Sequence, residues 1–497
     1  MDTRLSSPRA DSLITTPAPV QPHLRAQILL LATGGLLQTF GGTLALGSGG
    51  QLSPGKALLI FSTCAGGIFL LWLGIWRPAR GVFARLFFSA TANAKIPQTR
   101  LLRQISNSTL LALLLLAVLW SVATNGALLL QHPLDPAIYD SDAAAFVHYQ
   151  AEDVLHGINP YTDTTGFWQA VAQFPAAGAT PLQRGQFAQQ AFSPSDQVVT
   201  ALLHIYLRNP TQAGPEFDPA TLHSYPAGAF LLTIPFIWAG LPSTQPLYAL
   251  ALLLLFGLLA WWTPKEDRWY TLLLLSSLAL AITLTLRSSF EVICIICLIA
   301  AWRLQYQNKH PVLAALLLGL ACTVKQLAWL FVPFYLLLIV QRRGWRQTAK
   351  SAAFIALAFL LINGPFIFAA PAAWATSMLL PITEPAFPGG IGLITLAQGG
   401  LLPLFPGWVF VLLEIGTYLA LLAWYSTQLK PGQHSGKHAS TAGGLGLFLA
   451  PLPLFLASRS LISYTMFLPV LALAAVLLAQ DPAGPPIHQK ALPSHER

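Results

Sequence analysis

From Ile28 to Ala479 the chain keeps returning to apolar runs of about 20 residues, the length of helix that crosses the hydrocarbon core of a bilayer. A helix that is apolar all round cannot be solvated on any face, so this repetition decides the fold class before any motif is read. Only 9% of residues are charged against 55% hydrophobic, where a soluble domain carries about 25% charged residues. The sequence therefore predicts an all-α polytopic membrane protein of about twelve transmembrane helices.

The net charge of +9 would suggest nucleic acid in a soluble chain, but here the basic residues gather in short loops between apolar runs, so no nucleic-acid partner is expected. The clearest such loop holds Arg77, Arg80, Arg85, Lys95, Arg100 and Arg103 with no acid among them. By the positive-inside rule it is cytoplasmic, and the run Leu110 to Leu130 leads outward. Everything from Gln131 to Tyr225 then lies outside the cytoplasm, on the first outer loop.

The organisation follows in order. Residues 1–27, rich in Ser, Pro and Thr, read as a disordered cytoplasmic tail. Residues 28–103 hold two N-terminal spans and the basic loop, 104–369 a catalytic module including the outer loop 131–225, 370–480 a second outer loop with the C-terminal spans, and 481–497 a second cytoplasmic tail. Between Tyr225 and Trp262 parity requires one crossing where the sequence offers two runs, so one of them is expected to be broken or re-entrant around Pro226, Pro235, Pro242 and Pro246. Cys64, Cys294, Cys297 and Cys322 all fall in apolar runs and read as packing residues.

The first outer loop, about ninety residues long, exceeds an ordinary connection and is expected to be folded and functional. In it Ala144, Val147, Ala151, Val154, Leu155 and Ile158 recur at helical spacing and are expected to face lipid or the bundle, with His148, Glu152 and His156 opposite. Gly157 and Asn159-Pro160 end this helix. A second helix is expected over Gln183 to Arg208, and Phe167, Trp168 and Phe174 are expected to dip into the headgroup layer.

Charges in or near spans cost a few kcal/mol on insertion scales, which makes them functional candidates. The topology gathers Asp140, Asp142, Glu152, Asp153, Arg287, Glu291, Lys325, Glu384 and Arg459 on one rim. Cations facing carboxylates suit a reaction on a lipid phosphate: a carboxylate takes a proton from an acceptor hydroxyl while Arg and Lys hold the phosphate. Blander readings stand beside each. Asp140 or Asp142 could cap the helix that follows; Glu152 and Asp153 could be solvated or pair with His148 and His156; Lys325 and Arg459 could snorkel as anchors; Arg287 and Glu291 could pair at i and i+4. Asp140 and Asp142 could also ligate a divalent cation, but two carboxylates two residues apart are a weak signal, and no metal or other cofactor is expected.

An apolar span followed by Asp142, Tyr149, Ala151, Leu155, Gly157 and Asn159-Pro160-Tyr161 resembles the first outer loop of the polyprenol-phosphate-mannose-dependent mannosyltransferases, glycosyltransferase family 87 of the GT-C superfamily. Ser224-Tyr225-Pro226 is similar to that family's Tyr-Pro-Pro element, and Gly319-Leu320-Ala321 with Lys325 to its Gly-x-Ala…Lys-Pro hairpin. Ala227 and Gln326 depart from the family pattern, as does the stretch from Arg287 to Glu291. The resemblance implies an inverting membrane glycosyltransferase that moves a sugar, mannose by analogy, from a polyprenyl-phosphate donor to a glycan or glycolipid acceptor of the cell envelope. It implies an active site outside the cytoplasm of a multi-pass cell-membrane protein with both termini cytoplasmic. Asp142 is the implied base with Asp140 its rival. Arg287, Glu291, Lys325, Arg459, Tyr149, Tyr161 and Tyr225 are the implied substrate contacts. A multi-span transporter or lipid flippase is the alternative.

Overall fold

The computed structural model describes residues 23–46, 50–76, 97–131, 139, 141–174, 178–209, 221, 224–429 and 437–480. Both predicted tails, apart from residues 23–27, lie outside the described residues, as do Asp140 and the loop residues 77–96. Among the described residues 76% are helical, as the apolar repetition requires.

Two helices, α1 (His23–Ala45) and α2 (Pro54–Ile75), form an N-terminal hairpin. Ser53 caps α2 by accepting the Lys56 N–H at 3.4 Å, and Pro54 occupies the first helical position, where a missing N–H costs nothing. The two helices meet through small residues. A Cβ on Gly34 would sit 2.8 Å from the Gly67 carbonyl oxygen and one on Gly67 would sit 2.7 Å from the Gly34 carbonyl oxygen, so bare backbone on each side permits the contact. On its other side Gly42 lies against Ile462 and Leu280, and Arg25 Nε donates to Asp267 Oδ1 at 2.6 Å, which ties the hairpin to the main bundle.

The 35-residue α3 (Pro97–Gln131) leads to the first outer loop. That loop is folded, with α4 (Asp142–Leu155), α5 (Gly166–Gln173), a single 3₁₀ turn at Gly185–Phe187 and α6 (Asp196–Arg208). The helix expected over Gln183 to Arg208 is therefore only its second half; Pro194 fits just ahead of a helix start and not inside one. Gly157, with φ of 77°, ends α4 as anticipated. The loop builds a core from Phe146, Phe167, Val171, Phe187 and Leu203, closed by Phe387 from the second outer loop. Phe167 and Phe174 are accordingly buried in protein and not in a headgroup layer, and Trp168 stacks on Tyr206 at 4.0 Å.

After it come the short pieces α7 (Gly228–Leu231) and α8 (Ile234–Trp238) and the longer α9 (Gln245–Trp262). Of these only α9 is long and apolar enough to cross a membrane. Helices α10 (Arg268–Ser276) and α11 (Ala279–Leu286) form a pair bent by 64°, followed by α12 (Glu291–Tyr306) and α13 (Pro311–Val324). Lys325 stands in extended backbone between α13 and a 3₁₀ turn, Gln326–Leu330, which runs into α14 (Phe331–Arg343). Next are α15 (Trp345–Ala369), α16 (Pro371–Thr383), a two-residue strand β1 (Gly389–Gly390) and α17 (Leu393–Gln398). The last elements are α18 (Gly407–Gln428), α19 (Lys437–Leu449), β2 (Arg459–Ser460) and α20 (Leu468–Leu478).

Among the described residues five helices are long and apolar enough to span a membrane, or six with the bent pair, and further apolar helices are shorter. Every residue of α20 is buried, so it forms the axis of the bundle. By contrast α18 exposes Val411, Leu412, Ile415 and Leu419, a face that only an apolar surround would leave unpenalised.

Candidate active site around Lys325 and Asp142

Lys325 is set in place by packing at the end of α13. A Cβ on Gly319 would come within 2.6 Å of the Ile355 carbonyl oxygen, so α13 lies against the backbone of α15. One turn further on, a Cβ on Gly228 would come within 2.4 Å of Thr323 Oγ1, so the start of α7 sits directly on the end of α13. That approach delivers Ser224-Tyr225-Pro226 to Lys325. Three bonds then fix the segment: Gln326 Nε2 donates to the Ser224 carbonyl, Tyr161 OH donates to the Tyr225 carbonyl at 2.9 Å, and the Ala227 N–H donates to Asn363 Oδ1 at 2.9 Å.

Lys325 is only 6% exposed and Glu291 3%. The ammonium donates to Glu291 Oε1, and the Ser289 hydroxyl donates to Glu291 Oε2. Three aromatic rings surround the same nitrogen, Phe290 at 5.1 Å, Tyr464 at 5.6 Å and Tyr225 at 5.8 Å from their centroids, a cage that stabilises a cation through ring quadrupoles. This corrects two of the blander expectations. Lys325 does not snorkel, because its head is enclosed, and Glu291 pairs with Lys325 and not with Arg287. Burial pushes the Tyr225 phenol up to about 12, against the pull of Lys325; Tyr464, Asp142 and Glu291 act on it too. Tyr225 is thus within electrostatic reach of both the ion pair and Asp142.

Asp142 opens α4, with Ser141 at the N-cap making no side-chain bond. Its Oδ1 accepts the Ala143 N–H at 2.8 Å and its Oδ2 accepts the Thr180 N–H at 2.7 Å. It caps the helix and also anchors the loop from 178 onward. A carboxylate has about four acceptor positions, so capacity remains for a further hydroxyl. The anchored loop continues into an antiparallel bridge between Leu182 and Ala386, with the Gln183 N–H donating to the Pro385 carbonyl at 2.7 Å. From there β1 pairs in parallel with β2, Gly389 opposite Arg459 and Gly390 opposite Ser460. Three distant segments are joined by main-chain bonds into one rim.

Arg459 therefore sits on the strand that leads, five residues later, to Tyr464 of the cage. Its guanidinium is half-buried and makes no hydrogen bond or ion pair among the described residues. Arg287 is half-buried at the end of α11, four residues from Glu291. Glu384 follows α16, two residues before Ala386 of the bridge to the first outer loop. Tyr149 donates to Gln169 Oε1, and Tyr161 serves the Tyr225 backbone, so both act within the first outer loop and its seam with the bundle.

On α4 Ala144, Val147 and Ala151 are buried as expected, but so is His148 from the polar side. His148 is buried, its Nδ1 2.7 Å from Tyr139 OH and its Nε2 3.2 Å from Glu152 Oε1, while Leu155 and Ile158 are exposed. Burial works against the Glu152 charge, but hydrogen bonds from His148 and from Gln173 at 3.1 Å hold its carboxyl below the usual range. Asp153 is also buried, its Oδ2 without a hydrogen-bond partner among the described residues, and burial with Asp163 and Glu152 nearby pushes its carboxyl up to about 7. Among the described residues no three His, Cys, Asp or Glu side chains cluster as a metal site would need; Asp140, the other half of the carboxylate pair, lies outside them. The four cysteines are buried and unpaired by disulfide. Sequence reasoning missed Tyr464 and Thr180, and it met Gln326 and the stretch that holds Ser289 only as departures from the family pattern.

Residues 240–378, a little over a quarter of the chain, match the family model described as ALG3 protein, a family of dolichyl-phosphate-mannose-dependent mannosyltransferases of GT-C type. No curated protein and no solved structure matches the chain. The matched segment carries Arg287, Glu291 and Lys325 and gives nothing to the transporter alternative. The similarity is to this family and not specifically to glycosyltransferase family 87, so what the chain resembles on this ground is a multi-pass membrane mannosyltransferase of GT-C kind.

Proposed function

We propose that the protein is an inverting glycosyltransferase that moves mannose from a polyprenyl phosphate to a hydroxyl of a glycan or glycolipid on the extracytoplasmic side of the cell membrane. The observation that carries this reading is the caged Lys325–Glu291 pair, inside the matched segment, with the Asp142 carboxylate acting on the same Tyr225 phenol. Asp142 takes the acceptor proton as the acceptor oxygen bonds to the anomeric carbon. The bond from that carbon to the phosphate oxygen breaks, and polyprenyl phosphate leaves with the negative charge. Lys325 has three N–H groups and gives one to Glu291, leaving two for the phosphate. Arg459 supplies a second cation from β2, and Arg287 stands close in sequence to Glu291. The lipid tail lies along the apolar exterior in the bilayer. No metal or other cofactor takes part in this scheme.

The test is transfer by the purified protein supplied with polyprenyl-phosphate mannose and an acceptor extract, read as released polyprenyl phosphate. Asp142→Asn should lose transfer while still binding the donor, and Asp140→Asn should keep it. An active Asp142→Asn variant removes Asp142 as the base, and a wild type that releases nothing from any polyprenyl-phosphate sugar removes the transferase reading.

A further inference from the structure

Beside the Lys325–Glu291 pair lies a second set of buried polar groups that the proposed chemistry leaves unused. Tyr139 is fully buried; its phenol oxygen accepts the Thr244 N–H at 2.7 Å and lies 3.0 Å from Thr244 Oγ1 and 2.7 Å from His148 Nδ1. Near it Tyr248 OH has no hydrogen-bond partner among the described residues and Ser288 brings a second hydroxyl, and each belongs to a residue 1% exposed. Ser288 is close enough for a side-chain hydrogen bond to act on the Tyr139 phenol, and Tyr248 is close enough to feel both Tyr139 and Glu291. Ser288 also holds a left-handed backbone, φ 71°, which an L residue adopts only against strain. It immediately precedes Ser289, the hydroxyl on Glu291.

A buried hydroxyl without a partner destabilises the fold, and so does a strained non-glycine residue. Replacing either by an isostere without the hydroxyl should help stability, so their presence side by side points to a ligand that uses them. The ligand must meet phenol and alcohol groups, which both donate and accept, from more than one direction. A pyranose ring, with hydroxyls distributed around its edge, has that chemistry; a phosphate, which only accepts, does not. The bonds that close the cluster, Tyr139 to Thr244 and to His148, are hydroxyl bonds that a sugar hydroxyl replaces one for one.

We propose that Tyr139, Tyr248 and Ser288 form the subsite for the pyranose ring of the lipid-linked donor, adjoining the phosphate end at Lys325. This rests on the transferase reading above. Ser288→Gly removes the hydroxyl and relieves the strain; Tyr248→Phe removes only a hydroxyl. Both are made in the full chain and compared with wild type in thermal unfolding and in binding to polyprenyl-phosphate mannose, to sugar-free polyprenyl phosphate and to methyl mannoside. Each variant should melt at or above the wild-type temperature, bind the sugar-bearing lipid roughly three- to tenfold more weakly, and bind the sugar-free lipid unchanged. Equal effects on both lipids, or none on either, overturn the subsite while leaving the transferase reading in place. A change confined to methyl mannoside assigns the pocket to an acceptor sugar and also overturns it. A wild type that binds neither lipid removes the transferase reading and the subsite together.

Discussion

Replacing Lys325 by methionine tests how much the caged ion pair holds in place. Methionine keeps a flexible stem of similar size and deletes the charge. Glu291, 3% exposed, would then carry its charge with only the Ser289 hydroxyl as donor. Breaking a buried pair in this way costs about 3–5 kcal/mol, because the remaining charge is left uncompensated. That is about two to three and a half powers of ten in the folding equilibrium. The three rings of the cage lose their cation as well, which places the expected loss toward the upper end. Adding Glu291→Gln removes the stranded charge and keeps an acceptor for Ser289, so the double variant should regain most of the loss. Denaturant unfolding in detergent of both singles and the double closes a mutant cycle, with a coupling of at least about 2 kcal/mol expected. The double variant should fold but fail to bind a sugar-free polyprenyl phosphate, which separates the structural role from the substrate role. A Lys325→Met protein as stable as wild type, or a double whose loss is the sum of the singles, would refute the reasoning.

Asp153 gives a pH dependence of opposite sign to that of an ordinary paired carboxylate. Its folded value, about 7, lies above its unfolded value of 3.8, so the folded state holds the proton more tightly and stability falls as pH rises through that window. Asp153→Asn should flatten the melting temperature between pH 4 and about 7 relative to wild type; parallel curves for the two proteins would show that Asp153 is not the titrating group. Two glycine substitutions should differ in severity. A Cβ at Gly42 meets the movable end of Ile462 at 2.1 Å, whereas one at Gly392 meets the Phe455 carbonyl oxygen at 1.8 Å, so Gly392→Ala should melt well below Gly42→Ala. Tyr161→Phe, which removes the bond to the Tyr225 carbonyl, should cost about 1 kcal/mol in unfolding and raise the donor KM more than it lowers kcat; a kcat effect alone would contradict a positioning role. Transfer should survive EDTA, and full loss would point to a cation at Asp140 and Asp142.

The helices were legible because apolar length and the stops at Gly157 and around Pro194 are local properties of the chain. The charged residues of the site were legible for the same reason, since Glu291 and Lys325 each interrupt an apolar run. Their pairing was not. Glu291 and Lys325 are 34 residues apart, and only the packing of α12 against α13, which sets the start of one beside the end of the other, decides which charges meet. On sequence alone the i, i+4 neighbour Arg287 was the natural partner. The burial of His148 on the polar side of α4 escaped for a related reason. Periodicity separates two sides of a helix but does not say that a second layer covers the polar one, and here Phe174 packs on His148 at 4.7 Å and on Tyr139 at 4.9 Å. Phe167 was likewise read as a lipid contact because nothing local announces that the first outer loop builds a core. Asp142 was read as either a cap or a catalytic group; the structure shows that it caps, and that it also holds Thr180, a contact 38 residues away.

The rim that links Asp142 to Thr180, Gln183 to Pro385 and Gly389 to Ser458 is fastened through the main chain at almost every joint. Such fastening reads the path of the backbone and ignores side-chain identity, which sets rules for anyone who wishes to modify the protein. An epitope or fluorophore tag inserted after Ala191, beyond the joint at Gln183, leaves the circumference unbroken. The same insertion among residues 385–391 shifts every later residue out of register with 458–460, and carries Tyr464 away from the lysine it encloses.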